Sequence, residues 1–394
     1  MKTLSVPEFA IDLAHVAKTY RGRRGGVKAL RGIEMRVHRG EVFGLLGPNG
    51  AGKSTLIKIL MTVIRPTACR GTLLGGRVGD KSTLARVGYL PEHHRFPEYL
   101  TGAQTLDYFG GLSGVPRAER RRRTAHLLEL VGLSGGKNWG RMRVRQYSKG
   151  MRQRLGIAQA LITAPDLVLL DEPTDGVDPA GRRDIRNIVA HLKDEGRTVF
   201  LNSHLLSELE MVCDRVAILV KGVVHQQGTL DELTAEQKRY EIELADPLTP
   251  APLLREVLPG SLREEPQMLP GGDRRIGDAP PALPLAQRIG LAGELPTGER
   301  FEVHRGTIRV ATTDPVRVNP LIDALRARGV LIAAVRPFRP SLEDLFMRAV
   351  TDPETGETLR PGAAEAASVR REPPPPRGRG AIVAEEIPAE EAPR

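Results

Sequence analysis

Cysteine is nearly absent. The 394 residues contain two, Cys69 and Cys213, with no CxxC pair. That excludes a disulfide framework and a zinc module, and both residues are expected to be buried thiols of a cytosolic protein. Aromatic residues make up only 4% of the chain, so the core has to be aliphatic. No apolar run approaches the ~20 residues that span a bilayer. Met1–Asp12 carries Glu8 and Asp12 and no continuous apolar segment, so no secretory signal is expected there. What is plentiful is positive charge: 58 Lys and Arg against 48 Asp and Glu, a net +10. It permits nucleic acid or an anionic membrane surface as a partner without requiring either. The densest run, Arg117 with Arg120–Arg123, has no interleaved aromatics and reads as a solvated helix face before a base-stacking platform. The length suggests two domains or a little more.

The chain is organised around Gly47-Pro48-Asn49-Gly50-Ala51-Gly52-Lys53-Ser54-Thr55. Before it, Glu41–Leu46 reads as a short buried strand; after it, Leu56–Leu60 reads as an apolar-faced helix. A glycine-rich turn between strand and helix points several N–H groups into one concavity at a helix N-terminus. Such a concavity binds phosphate through those donors and the positive end of the helix dipole. Lys53 adds a charge for the β- and γ-phosphates, and Ser54 a hydroxyl for Mg²⁺.

Taken in order, Ile11–Tyr20 and Ile33–Val37 look like short alternating strands, with Tyr20 in a loop flanked by Arg21–Gly26. Gly71–Gly76 reads as a strand and turn, and Val87–Glu92 as a strand stopped at Pro91. From His93 to about Thr163 the character is helical, over Thr101–Phe109 and Arg117–Val131. A further helix, Arg152–Leu161, is capped by Ser148. Leu167–Leu170 is all apolar, as in a buried parallel strand, and ends in Asp171-Glu172-Pro173. Carboxylates at such a strand end lie where open α/β sheets place their ligands. A helix over Ala180–Glu195 follows, then the strand Thr198–Asn202 with His204 just past its end, a helix to Cys213 and a strand over Arg215–Val220. The alternation predicts a mostly parallel sheet. After about Thr234 the pattern changes. Tyr240–Leu244, Phe301–His304, Thr307–Thr312 and Val330–Val335 read as strands, and Asn319–Arg328 as a helix. A last helix begins at Ser341 in a capping box with Asp344. Pro247–Pro296 reads as a surface insertion or a partly disordered loop, and the tail from Thr351 as disordered.

By Leu170 the motifs resemble the ATP-binding cassette (ABC) ATPase family over about residues 9–235. The phosphate loop is Gly47–Thr55, and the second phosphate motif ends in Asp171-Glu172. Between them, Tyr147-Ser148-Lys149-Gly150-Met151 is similar to the family signature Leu-Ser-Gly-Gly-Gln, with Ser148 and Gly150 retained. The resemblance implies an α/β P-loop NTPase core with a mostly parallel sheet, an antiparallel β subdomain and a helical subdomain at about 93–163. A small α+β domain at 236–350 follows it. ATP and Mg²⁺ are the implied cofactors. Gly47, Pro48, Asn49, Gly50, Ala51, Gly52, Lys53, Ser54 and Thr55 would hold the phosphates, and Ser54 and Asp171 the Mg²⁺, Asp171 through water. Glu172 would be the general base, His204 the sensor of the γ-phosphate, and Tyr20 the ring that stacks on adenine. Phosphoryl transfer needs positioning and charge neutralisation, which these residues supply. In the signature Lys149 and Met151 replace Gly and Gln, and two further departures matter. Glu92 stands where the family has a glutamine, and is still expected to link Mg²⁺ to the helical subdomain. Asp175-Gly176-Val177-Asp178 replaces the common Ser-x-Leu-Asp that couples two ATP sites.

Gly88–Glu92, Tyr147–Met151 and Leu342–Phe346 are similar to the type-2 export subgroup. The implied protein is the ATP-hydrolysing subunit of an exporter, peripheral on the cytoplasmic face of the membrane. Its partners would be a separate membrane-spanning permease and a second ATPase subunit, identical or paralogous. Ser148 and Gly150 would close over the ATP of that second subunit. The alternative, a soluble ABC ATPase acting on nucleic acid or ribosomes, fits less well: there is one phosphate loop, no CxxC pair and no long heptad run. A regulatory module without catalysis is disfavoured by intact Lys53, Asp171, Glu172 and His204.

Overall fold

The computed structural model describes residues 8–22, 25–134, 139–235, 238–246, 263–266, 289–295, 298–304 and 306–351. It opens with a long hairpin, β1 (Phe9–Gly22) and β2 (Gly25–His38), paired antiparallel along its length. Where two short strands were expected there is one continuous ladder. Only the face bearing Ile11, Leu13, Ile33 and Met35 has to be apolar for it to persist. Tyr20 is therefore a strand residue opposite Val27, not a loop residue. β3 (Val42–Leu46) is buried at every position and leads through the phosphate loop into α1 (Lys53–Leu60). β4 (Ala68–Leu73) and β5 (Gly76–Arg77) complete an antiparallel sheet in the order β2-β1-β4-β5. Cys69 is exposed, which corrects the expectation of a buried thiol: the first three residues of β4 all face solvent. Cys213 is shielded, and burial pushes its thiol up.

After α2 (Lys81–Leu84), β6 (Val87–Leu90) stops before Pro91. The helical part holds α3 (Gly102–Leu112), α4 (Arg117–Leu130) and α5 (Lys149–Leu161). Ser148 caps α5 by accepting from Met151 N at 3.2 Å. The helix thus begins at Lys149, a turn ahead of the expected Arg152, because the cap satisfies the first turn and Gly150 is carried inside it. Strands and helices then alternate: β7 (Leu167–Asp171), α6 (Pro179–Asp194), β8 (Thr198–Asn202), α7 (Leu206–Val212), β9 (Arg215–Val220) and β10 (Val223–Thr229). The second sheet runs β10-β9-β3-β8-β7-β6. All its pairings are parallel except the edge strand β10.

α8 (Leu230–Thr234) leads to the third sheet. Its strands are β11 (Arg239–Leu244), β12 (Arg263–Pro266), β13 (Ile289–Glu294), β14 (Arg300–His304), β15 (Thr307–Val310) and β16 (Ile332–Phe338). They are antiparallel, in the order β12-β13-β14-β15-β11-β16. β12 and β13 fall inside the stretch expected to be a loop. Glycine hid β13: Gly293 pairs with Phe301, whose ring lies 2.8 Å from where a Cβ would be. The rest of that stretch and the tail beyond Thr351 lie outside the described residues. α9 (Pro315–Ala327) covers one face of the sheet, packing Val318, Leu321 and Leu325 with Ile242, Ile308 and Val310.

The last helix, α10 (Leu342–Val350), behaves differently. Its capping box forms as expected, Ser341 and Asp344 bonding reciprocally. Yet Leu342 and Leu345 join the core of the second sheet, against α7, α8 and β9. Leu345→Ala should cost about 2–5 kcal/mol in urea unfolding, as truncation of a buried leucine does. A loss under ~1 kcal/mol would mean that α10 rests on that core without anchoring to it.

Candidate functional site

The phosphate loop is held by what its glycines lack. A Cβ at Gly47 would sit on Leu219 O of β9, and one at Gly52, where φ is +113°, would lie 2.7 Å from Ala29 O of β2. Only glycine fits between these strands. Gly52 also caps α1, and among the described residues no side-chain cap accepts from the helix's first turn. Those N–H groups and the positive helix end are thus open to an anion.

The loop borders a cleft of about 420 Å³, lined by residues 48–55 with Ala29, Glu92, Glu172, Asp175, Asn202 and His204. Lys53 is buried, and its Nζ donates to Gly47 O at 2.5 Å and Pro48 O at 3.4 Å. Burial lowers its pKa, while Glu172, Asp171 and Glu92 pull it back up. The Lys53 ammonium and the N–H donors of the loop supply charge-assisted hydrogen bonds to a polyphosphate, while the three carboxylates keep the lysine charged.

Opposite the loop, β7 and β8 end side by side with Asp171 in register with Asn202. Asp171 Oδ1 accepts from Asn202 Nδ2 at 2.5 Å, and Glu172 N donates to Asn202 O at 2.8 Å. Glu172 bends out of the strand at φ +53°, a conformation that costs a residue other than glycine about 1–3 kcal/mol. Gln153 Nε2 donates to its carbonyl at 3.3 Å. Its carboxylate meets His204: Oε2 lies 2.7 Å from Nδ1 and accepts from His204 N at 3.3 Å. Burial raises the pKa of both carboxylates; Asn202 opposes this at Asp171, and His204 at Glu172. Beside them Tyr89 is pushed up to about 12, by burial first and then by Asp171 and Glu92. A buried carboxylate of raised pKa, paired with an imidazole, is able to accept a proton from water.

The candidate residues do not all reach the cleft. Pro48–Thr55, Glu92, Glu172 and His204 line it. Gly47 stands behind the loop as the acceptor for Lys53. Asp171 is buried behind Asn202 and is not a lining residue. Tyr20 stands outside the cleft beside the first turn of α1, its hydroxyl 3.5 Å from Thr55 Oγ1. Ser148 and Gly150 lie away from it at the start of α5, the Ser148 side chain occupied as a cap. Three lining residues were not picked out as site residues: Ala29, Asp175 and Asn202. Asn202 is the polar end of an otherwise apolar strand, a signal that the histidine two residues on overshadowed. The arginine run of α4 is largely paired: Arg120 with Asp107, and Arg122 and Arg123 with Glu119, all at 2.8 Å.

The sheet, the loop and the two strand-end carboxylates define a P-loop ATPase of ATP-binding-cassette architecture. A family model described as ABC transporter matches residues 30–175. The chain is similar to an uncharacterized ABC transporter ATP-binding protein of Synechocystis, 50% identical over 218 residues. That match covers 55% of this chain, which thus spans 61% of the relative's length. It is also similar to a daunorubicin resistance ATP-binding protein of Streptomyces coeruleorubidus, 35% identical over 84% of this chain and 93% of the relative. Among solved structures it is similar to cbiO1 from Clostridium perfringens, part of the ABC transporter complex cbiONQ. That likeness has a TM-score of 0.52 at 26% identity, over 59% of this chain and 92% of the other. The chain belongs to the ABC transporter family, as one of its ATP-binding proteins.

Gly47→Ala should lower the stability to urea by about 1–3 kcal/mol, since the loop has to move off β9. An unchanged unfolding midpoint would show that Leu219 yields without cost.

Proposed function

We propose that the chain binds ATP in this cleft and hydrolyses it to drive export through a separate membrane-spanning permease. The observation that carries the reading is the Glu172–His204 pair at 2.7 Å, facing a phosphate loop that holds Lys53. The loop amides and Lys53 would hold the β- and γ-phosphates. Glu172 would take a proton from water as the water oxygen bonds to the γ-phosphorus and the bond to ADP breaks; His204 orients the carboxylate. Tyr20, at the outer edge, would stack on adenine.

The residues fit Mg²⁺. Among the described residues no group of three or more Asp, Glu, His or Cys could hold a metal alone. A cation that keeps its waters and takes phosphate oxygens needs only one or two protein ligands. Ser54 and Glu92 would hold it, with Asp171 acting through water, and it would supply charge neutralisation to the phosphates.

Ser148 and Gly150 stand apart from their own cleft, which supports a dimer in which each copy closes the other's site. In this reading residues 1–235 are the ATPase domain and 236–350 an accessory domain tied to it by α10. No described helix is long and apolar enough to cross a membrane. The similarity to a drug resistance ATP-binding protein supports export, with the chain on the cytoplasmic face.

Glu172→Gln should keep ATP bound, trap the dimer, co-purify with the permease from detergent-solubilised membranes, and lower turnover about 10²–10⁴-fold. Unchanged turnover would remove Glu172 as the base. Because burial raises Glu172, kcat/KM should fall on acidification at a higher pH than an ordinary glutamate gives, as the base becomes protonated. His204 opposes that rise, so His204→Ala should move the acid limb of the residual activity further up in pH. A downward move would contradict the assignment.

A further inference from the structure

Asn202 ends β8 and is 2% exposed. Its side chain has one spent half and one unspent half. Nδ2 donates to Asp171 Oδ1 at 2.5 Å. Oδ1 is buried and has no hydrogen-bond partner among the described residues, yet Asn202 lines the cleft while Asp171 does not. Chemistry fixes the amide's orientation, since the reverse would set its oxygen against a carboxylate oxygen. An acceptor left unpaired in a buried site is costly, and it survives where something else pairs with it. The main chain of the same residue also accepts from Glu172 N. One residue therefore holds the Asp171 carboxylate through its side chain and the Glu172 backbone through its main chain.

We infer that Asn202 is a positioning residue for the divalent cation that accompanies ATP. Its amide N–H fixes the Asp171 carboxylate, and its Oδ1 accepts a hydrogen bond from a water of the hydrated cation. The inference rests on the proposed MgATP site and adds to it an outer contact that the charge pattern alone does not supply. Partners of this kind tune metal affinity about 10–100-fold.

The test uses the full chain and Mn²⁺ as the probe, comparing ATP affinity with Mn²⁺ and with EDTA. The wild type should bind ATP more tightly with Mn²⁺. Asn202→Leu should cut that gain about 10–100-fold and leave the affinity in EDTA unchanged. In an Asp171→Asn background the effect of Asn202→Leu should shrink, because the share that passes through Asp171 is already lost, and what remains is the Oδ1 contact. Asn202→Ser, which adds no bulk, should show the same loss if the leucine variant fails to fold. The inference is overturned if the Mn²⁺ gain survives both substitutions, or if affinity in EDTA falls equally, which marks a merely structural role. A wild-type chain that binds no ATP under either condition would instead overturn the proposed site itself.

Discussion

The carbonyl oxygen of Leu219 occupies the space in which a side chain at Gly47 would begin. On the other side, Ala29 O crowds Gly52 in the same way. The phosphate loop is thus clamped between main-chain oxygens of two strands that belong to different sheets. Its shape comes from this packing together with its own hydrogen bonds, Ala51 N donating to Pro48 O and Lys53 Nζ to Gly47 O. The antiparallel sheet, which holds no candidate for hydrolysis, earns its place here: β2 supplies one jaw of the clamp. β9 supplies the other and pairs with β3, the strand that delivers the loop.

The opposite wall follows a second rule. Parallel strands in register bring their C-terminal ends to one edge, so the residues after β7 and β8 have to face each other. Asp171 meets Asn202 and Glu172 meets His204 there by register, 31 and 32 residues apart in sequence. The left-handed bend at Glu172 gives this wall its depth. It lets one carboxylate line the cleft while its neighbour stays buried, so two adjacent acids acquire different surroundings.

Much of this was legible in the sequence. Leu167–Leu170 is too apolar to be anything but a buried strand, and the glycine spacing of the loop announces its ligand. Ser341 marks its helix start, and Ser148 was legible as a cap although its helix begins at Lys149, ahead of the expected Arg152. What was not legible depended on partners distant in the chain. Asn202 reads as the last residue of a strand until register sets it against Asp171. β13 carries glycine where a strand pattern would show a side chain, and Phe301 on the next strand fills the gap. Tyr20 looked like a loop residue because Arg21–Gly26 has turn composition, yet the ladder continues to Gly22 and returns at Gly25. Helix α10, read as part of a separate small domain, spends its leucines on the ATPase core.

Two of the residues that depart from the family pattern meet in space. Lys149, in the signature segment, pairs with Asp175 at 2.9 Å, and its ammonium lies against Gly176, where φ is +61°. Asp175 lines the phosphate cleft. Both side chains are about half exposed, so the pair adds little to stability. Its worth is local neutrality: a bare carboxylate at that wall would repel phosphate, and Lys149 cancels it. The two departures are therefore one exchangeable part. A chimaera that swaps the signature segment alone would leave the anion-binding wall with an uncancelled negative charge. One that swaps only the turn after β7 would leave Lys149 without its carboxylate.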